Sequence, residues 1–170
     1  MTERNESHER DPGQRSARNS ERLINTFYTR FQARDWKGMA QVYHADIFFY
    51  DPAFGNLEGP EVTGMWEMLL SGAKGLSLKF SDVAADEGYG SCSWTATYVF
   101  SSTGRKVVNR GKAMFRFEDG KIIEHQDVWS FWRWSRQALG WKGWLFGWSH
   151  LFHEKVRRAA RKKLERFINK

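Results

Sequence analysis

The amino-acid sequence predicts an α+β fold: N-terminal helices cradled by a strongly bent antiparallel sheet, with an amphipathic helix added at the C-terminal end. Three observations carry this. Apolar residues recur at helical spacing as far as residue 72. The period then falls to two over residues 76–129, with turn chemistry between the runs. A helical apolar stripe returns over residues 151–168. Helices followed by consecutive strands make a segregated, two-layer plan, and such a sheet leaves a conical pocket between its layers.

The elements follow in order. Residues 1–19 are polar and are expected to form a disordered leader. Asn19 or Ser20 can cap a helix in which Leu23, Ile24, Phe27, Tyr28 and Phe31 share one face. "RDWKGMAQVYHAD" reads as a second short helix with Trp36, Met39, Ala40 and Tyr43 inward. "IFFYD" reads as a strand stopped by Pro52, and "PAFGNLEG" as a loop. "PEVTGMWEMLLSG" has Pro60 for its first turn and Gly72 for its exit. "LSLKFSDVAADE", "YGSCSWTATYVFSS", "RKVVNRGKAMFRFED" and "KIIEHQDVW" read as four strands, with "SSTG" and "EDGK" turning the last three into hairpins. The domain is expected over 20–138. Residues 139–170 follow as a Trp-rich, glycine-broken link and a basic amphipathic helix.

Composition excludes several classes. With 41% hydrophobic and 16% aromatic residues among 170, the chain is globular rather than disordered. Cys92 is its one cysteine, so no internal disulfide can form, which fits a reducing cytoplasm. Cys92 reads as a small strand side chain. The N-terminal stretch has no apolar core and is not expected to be a secretory signal, and no run is long enough to span a bilayer. The net charge is +7, yet residues 20–150 hold fifteen basic and fourteen acidic side chains, whereas residues 151–170 hold eight and two. The basic excess is local to the tail, so it gives no footprint for nucleic acid on the domain. No phosphate-binding glycine loop is present, and no cofactor is expected. His150, His153 and Glu154 share a helical face but lack a third assured ligand, so no metal is expected there.

Chemistry concentrates on the last strand of the domain. Alternation puts Ile123, His125, Asp127 and Trp129 on one face and Ile122, Glu124, Gln126 and Val128 on the other. If the first set faces inward, a carboxylate and an imidazole lie two residues apart in an aromatic cavity, a plausible acid/base pair. The plainer reading makes Asp127 a helix cap and His125 a structural hydrogen-bonder. Asp51, before Pro52, is either a second acid/base group or a turn former.

"AQVYHADIFFYDPAFGNLEG", then "MWEMLL", then "FRFEDGKIIEHQDVW" resemble the SnoaL-like and ketosteroid-isomerase-like branch of the nuclear transport factor 2-like superfamily, over roughly residues 20–137. The resemblance implies a cone formed by a curved sheet around helices, with a small hydrophobic ligand inside. It matches Asp51 to the general base of ketosteroid isomerases. The isomerase phenol falls at Phe27, with Tyr28 adjacent, and its carboxylic acid falls at Ala113. Limonene-epoxide hydrolases place Arg and Asp where this chain has Trp94 and Ala96. Asp127 matches the pocket aspartate of SnoaL-like polyketide cyclases, which takes a proton from an acidic carbon. His125 and Asn109 are then orienting partners, and Phe27, Tyr28, Trp66, Phe115 and Trp129 line the pocket. The implied function is an isomerase or cyclase using carboxylate acid/base chemistry on a carbonyl compound. The alternative is a non-catalytic binding or membrane-associated module. For residues 141–170 two readings stand: a helix lying in an anionic membrane interface, or one packed on the domain or on a second copy in a homodimer.

Overall fold

The computed structural model describes residues 12–170. Its elements are α1 (Pro12–Gln32), α2 (Trp36–Ala40), β1 (Tyr43–Asp51), β2 (Gly55–Glu58), α3 (Pro60–Gly72), β3 (Lys74–Ala85), β4 (Tyr89–Phe100), β5 (Arg105–Glu118), β6 (Lys121–Trp129), α4 (Phe131–Leu139), α5 (Trp141–Phe146) and α6 (His150–Ile168). The six strands form one sheet in the order β2-β1-β6-β5-β4-β3. All neighbours are antiparallel except β1 and β6, which run parallel. The result is the expected α+β architecture, a curved sheet around the N-terminal helices followed by a C-terminal helix.

Four local expectations change. The expected leader lies outside the described residues as far as residue 11, but residues 12–19 are helical, so α1 starts before Asn19. This first part is mostly exposed; good helix formers such as Gln14, Arg15 and Ala17 extend a helix already nucleated by its packed second half. Tyr43 does not end the second helix but begins β1, whose hydrogen bonds with β6 outcompete local helix formation. The loop read at 52–59 contains β2, a short edge strand pairing Leu57 with Phe49. Finally, "WKGWLF" is helical as α5, not an irregular link.

Two apolar clusters hold the layers together. The larger joins α1 (Ile24, Phe27, Tyr28), α3 (Val62, Met65, Trp66) and the concave face of the sheet (Phe49, Trp94, Phe115). The smaller sets Phe131, Trp134 and Ala138 of α4 on Val107 of β5, with Phe152 and Val156 of α6 against it. Trp129 and Tyr98 touch both. α6 links the two: it begins with His153 on the Phe131 ring, 3.9 Å between centroids, and ends with Leu164 buried in the larger cluster. Between them Arg161 donates to the Asn56 carbonyl of β2. The helix therefore packs on its own domain, along a path from α4 past β2 to α3.

Candidate functional site around Asp127 and His125

From Glu124 onward β6 alternates as its sequence suggests: Glu124, Gln126 and Val128 are exposed, while His125 and Asp127 are buried on the concave side and Trp129 is half-buried there. Before it the expectation fails, because a register shift against β5 buries both Ile122 and Ile123 and brings Ile122, not Ile123, into the larger core cluster. Register with β5 sets Phe115 beside His125 and Ala113 beside Asp127. Asn109, also buried, lies on the same face of β5 as Ala113.

His125 is enclosed by rings. Phe27 and Phe49 meet it edge-on at 5.1 Å, Phe115 lies 4.5 Å away, and Trp66 stacks at 6.3 Å. Its polar contacts are directional. The Trp66 indole donates to the Tyr43 hydroxyl at 3.2 Å, and that hydroxyl lies 2.7 Å from His125 Nδ1. An indole N–H can only donate, so the Tyr43 oxygen accepts there, and Nδ1 is the acceptor within reach of the hydroxyl's own proton. With Nδ1 accepting that proton, the ring N–H sits on Nε2, the nitrogen facing Asp127. Nε2 stands 3.4 Å from Asp127 Oδ1, in a direction that makes no hydrogen bond. Burial and the Trp66–Tyr43–His125 row thus fix the ring, with a slack contact at its far end.

Asp127 Oδ1 accepts the Trp94 indole N–H at 2.8 Å. Both contacts meet the same oxygen, and no hydrogen bond to Oδ2 is seen among the described residues. Trp94 reaches Asp127 across β5 because its register partner there is Gly111. A Cβ at Gly111 would come within 2.6 Å of the indole.

Asp51 is held differently. Its Oδ1 accepts the Phe54 N–H at 2.6 Å, so it does form the turn that its Asp-Pro sequence suggests. Burial of its carboxyl pushes the pKa up from 3.8 to about 7; two backbone N–H groups and Arg157 oppose the rise, and the charge of Asp127 adds to it. The parallel register sets Phe49 beside His125 and Tyr50 beside Gln126, so Asp51 follows on the strand next to that of Asp127. Tyr98 is also pushed up, to about 12, mainly by burial and partly by Asp51.

The remaining expected residues divide. Phe27, Trp66 and Phe115 surround His125. Tyr28 is buried behind them, stacked on Phe80 at 5.1 Å. Trp129 stacks on Phe131 at the junction with α4. Tyr43 and Trp94 were not among the residues expected to act, and they supply the hydrogen bonds that fix His125 and Asp127. A tryptophan facing a glycine across an antiparallel pair was the sequence signal for Trp94. His153 and Glu154 are engaged with the Gly147 carbonyl and Arg157. Among the described residues no group of three His, Cys, Asp or Glu side chains could hold a metal ion. An open cleft of about 720 Å³ lies elsewhere, between Ala45, Pro60, Thr63, Glu67 and Phe167, and none of the expected site residues lines it.

Comparison with known proteins agrees with this architecture. A candidate polyketide cyclase from Xanthomonas campestris pv. campestris superposes with a TM-score of 0.59 at 15% identity, covering 72% of this chain and 98% of that one. An LEH-like epoxide hydrolase from M. tuberculosis gives 0.60 at 18% identity, covering 80% and 96%. An NTF2-like protein of unknown function from Burkholderia pseudomallei gives 0.63 at 17% identity, covering 71% and 97%. At these identities the likeness is one of fold. No curated protein matches the sequence. Residues 24–125 match the SnoaL-like domain, and that span, more than half the chain, carries β1, β5 and most of the concave site: the protein belongs to the SnoaL-like domain family.

Proposed function

We propose that the protein is an acid/base enzyme of the isomerase or cyclase type, acting on a small hydrophobic carbonyl compound. The observation that carries this is the convergence of Trp94 and His125 on one oxygen of Asp127, inside an aromatic enclosure. Such an arrangement fixes a carboxylate as an acceptor while leaving its second oxygen to act. Asp127 Oδ2 takes a proton from the carbon next to the carbonyl. The electron pair moves into the C–C bond and onto the carbonyl oxygen. Asp51, half-protonated near pH 7, is the second group: it lends its proton to that oxygen as the enol forms and recovers it as Asp127 delivers its own proton to the conjugated carbon, so both carboxyls end as they began. His125 is the positioning residue, its Nε2 3.4 Å from Asp127 Oδ1. Phe27, Trp66, Phe115 and Trp129 suit a flat apolar ligand, with Tyr28 behind them and Asn109 offering one polar contact near Ala113. Epoxide hydrolysis is disfavoured, since Trp94 and Ala96 stand where the resemblance asks for Arg and Asp.

The test is solvent exchange of an acidic C–H. Aryl 1,3-dicarbonyl probes are incubated with the protein in D2O and deuterium uptake is followed by NMR. Uptake above background that is lost in Asp127→Asn, with the fold retained, supports the reading. Binding without exchange, seen as tryptophan quenching that Asp127→Asn leaves unchanged, makes the protein a non-catalytic binder instead.

A further inference from the structure

α5 is seated the wrong way round for an ordinary surface helix. Its one buried residue is a glycine, Gly143, and apart from Lys142 its outward positions are large and apolar. Gly143 and the following Gly147 pack on α4, where a Cβ would meet the Ser135 carbonyl at 1.9 Å and the Ser135 hydroxyl at 2.1 Å. Ser135 Oγ itself bonds the Gly143 carbonyl at 3.2 Å. This close approach of backbones turns everything else outward. Trp141 is 67% exposed, Trp144 60%, Trp148 75% and Leu151 79%, with Leu145 and Phe146 exposed between them. Apolar side chains of this size, contiguous in sequence and in water, mark an interaction surface.

From Leu151 onward the exposed face of α6 is a basic stripe. The solvent-facing residues of α6 after Leu151 include Lys155, Arg158, Lys162 and Arg166, at helical spacing along one face. Lys142 lies beside the Trp141 ring, and Arg136 of α4 stacks 4.0 Å over Trp132, which is also exposed. Residues 131–170 contain eleven basic and two acidic side chains, a net +9. Of the two acids, Glu154 is already paired with Arg157. No helix among the described residues is long and apolar enough to cross a membrane.

We propose that α5 and the outer face of α6 dock on the surface of an anionic lipid bilayer, with Trp141, Trp144, Trp148 and Leu151 entering the headgroup boundary. Charge selects this occupant over a second copy of the chain, because pairing two such faces would oppose like charges, whereas anionic headgroups neutralise them. Indole rings suit this depth because they are apolar bodies with a polar edge. The buried faces of α4 and α6 stay on the domain, so docking needs no unfolding. The inference is independent of the role given to Asp127.

The test is flotation of the full-length protein with phosphatidylcholine vesicles, with and without phosphatidylserine. Flotation is expected with phosphatidylserine only. It should weaken with added salt and fall on the order of fivefold for each charge lost in Lys155→Gln, Arg158→Gln and Lys162→Gln. The combined Trp141→Ser, Trp144→Ser and Trp148→Ser variant should not float, while keeping the near-UV circular dichroism of its buried aromatics. Failure of the wild type to float on anionic vesicles overturns the proposal. So does equal, salt-independent flotation on phosphatidylcholine alone. A concentration-dependent dimer that shields these tryptophans from quencher, without vesicle binding, assigns the face to a second copy.

Discussion

Trp94 holds Asp127 from the opposite side of β5, its indole N–H 2.8 Å from Oδ1, and the path between them exists because residue 111 is glycine. The indole fills the space a side chain at that position would take. Trp94→Phe keeps the packing and removes the donor, leaving a buried carboxylate oxygen one partner short. It should cost about 1–3 kcal/mol in urea unfolding and lower probe exchange more than probe binding. Gly111→Ala should cost about 1–3 kcal/mol through overpacking against the indole and the Val128 carbonyl.

Tyr43→Phe should orphan two groups at once, Trp66 Nε1 and His125 Nδ1. A destabilisation of about 1–3 kcal/mol is expected. The tautomer is the sharper readout. Without the Tyr43 proton on Nδ1, the ring loses its reason to keep a proton on Nε2. Nitrogen-15 NMR of His125 should show Nε2–H in the wild type and a mixture in the variant. An unchanged pattern would mean that Tyr43 does not orient the ring.

Asp51 predicts a pH dependence of stability. Its pKa is about 7 in the fold against an ordinary 3.8, so between those values the folded chain binds the proton more tightly than the unfolded chain. Its contribution is complete below the ordinary value and is lost as pH rises through about 7. Thermal unfolding of the wild type should therefore show a declining step in Tm across this window. Asp51→Asn, which keeps an acceptor for the Phe54 N–H, should flatten that step. Equal profiles would place the carboxyl in a better-hydrated setting than its packing indicates.

Leu164 is the anchor of α6 on the larger cluster, 2% exposed beside Gly64 and Ile168. Leu164→Ala should cost about 2–5 kcal/mol. Hydrogen exchange should rise along α6 while β5 and β6 keep their protection. If α6 amides are unaffected, the helix is held by its contacts with α4 instead.

The parts of this structure legible in the sequence are those with strong local signals. Alternation along β6 and the hairpin turns at 101–104 and 118–121 gave strands whose positions hold. Pro60 and Gly72 gave α3 its ends. The inward face of β6 was left open by alternation, since both faces carry polar residues; burial of His125 and Asp127 depends on packing from α1 and α3. The role of Tyr43 was hidden for a related reason. Its place in β1 follows from pairing with β6, far along the chain, against a local pattern that reads as helix. α5 was missed because glycines at its inward positions look like breaks in sequence, whereas in space they are the seat against Ser135. The start of α1 was placed late because exposed helix carries no apolar period.

The parallel pairing of β1 with β6 joins the first strand to the last, and it carries a consequence for how the protein reaches its native state. The hairpins β3–β4, β4–β5 and β5–β6 close over short loops, but Tyr43 and His125 are 82 residues apart. Closing that separation costs more chain entropy than any hairpin, so it favours late assembly. An intermediate built of hairpins alone would hold Asp127 and Trp94 on adjoining segments yet lack the Tyr43 bond that sets the imidazole proton. Competence of the site would then arrive with the final ring of contacts, and stacking of Trp66 on His125 offers a fluorescence clock for that last step.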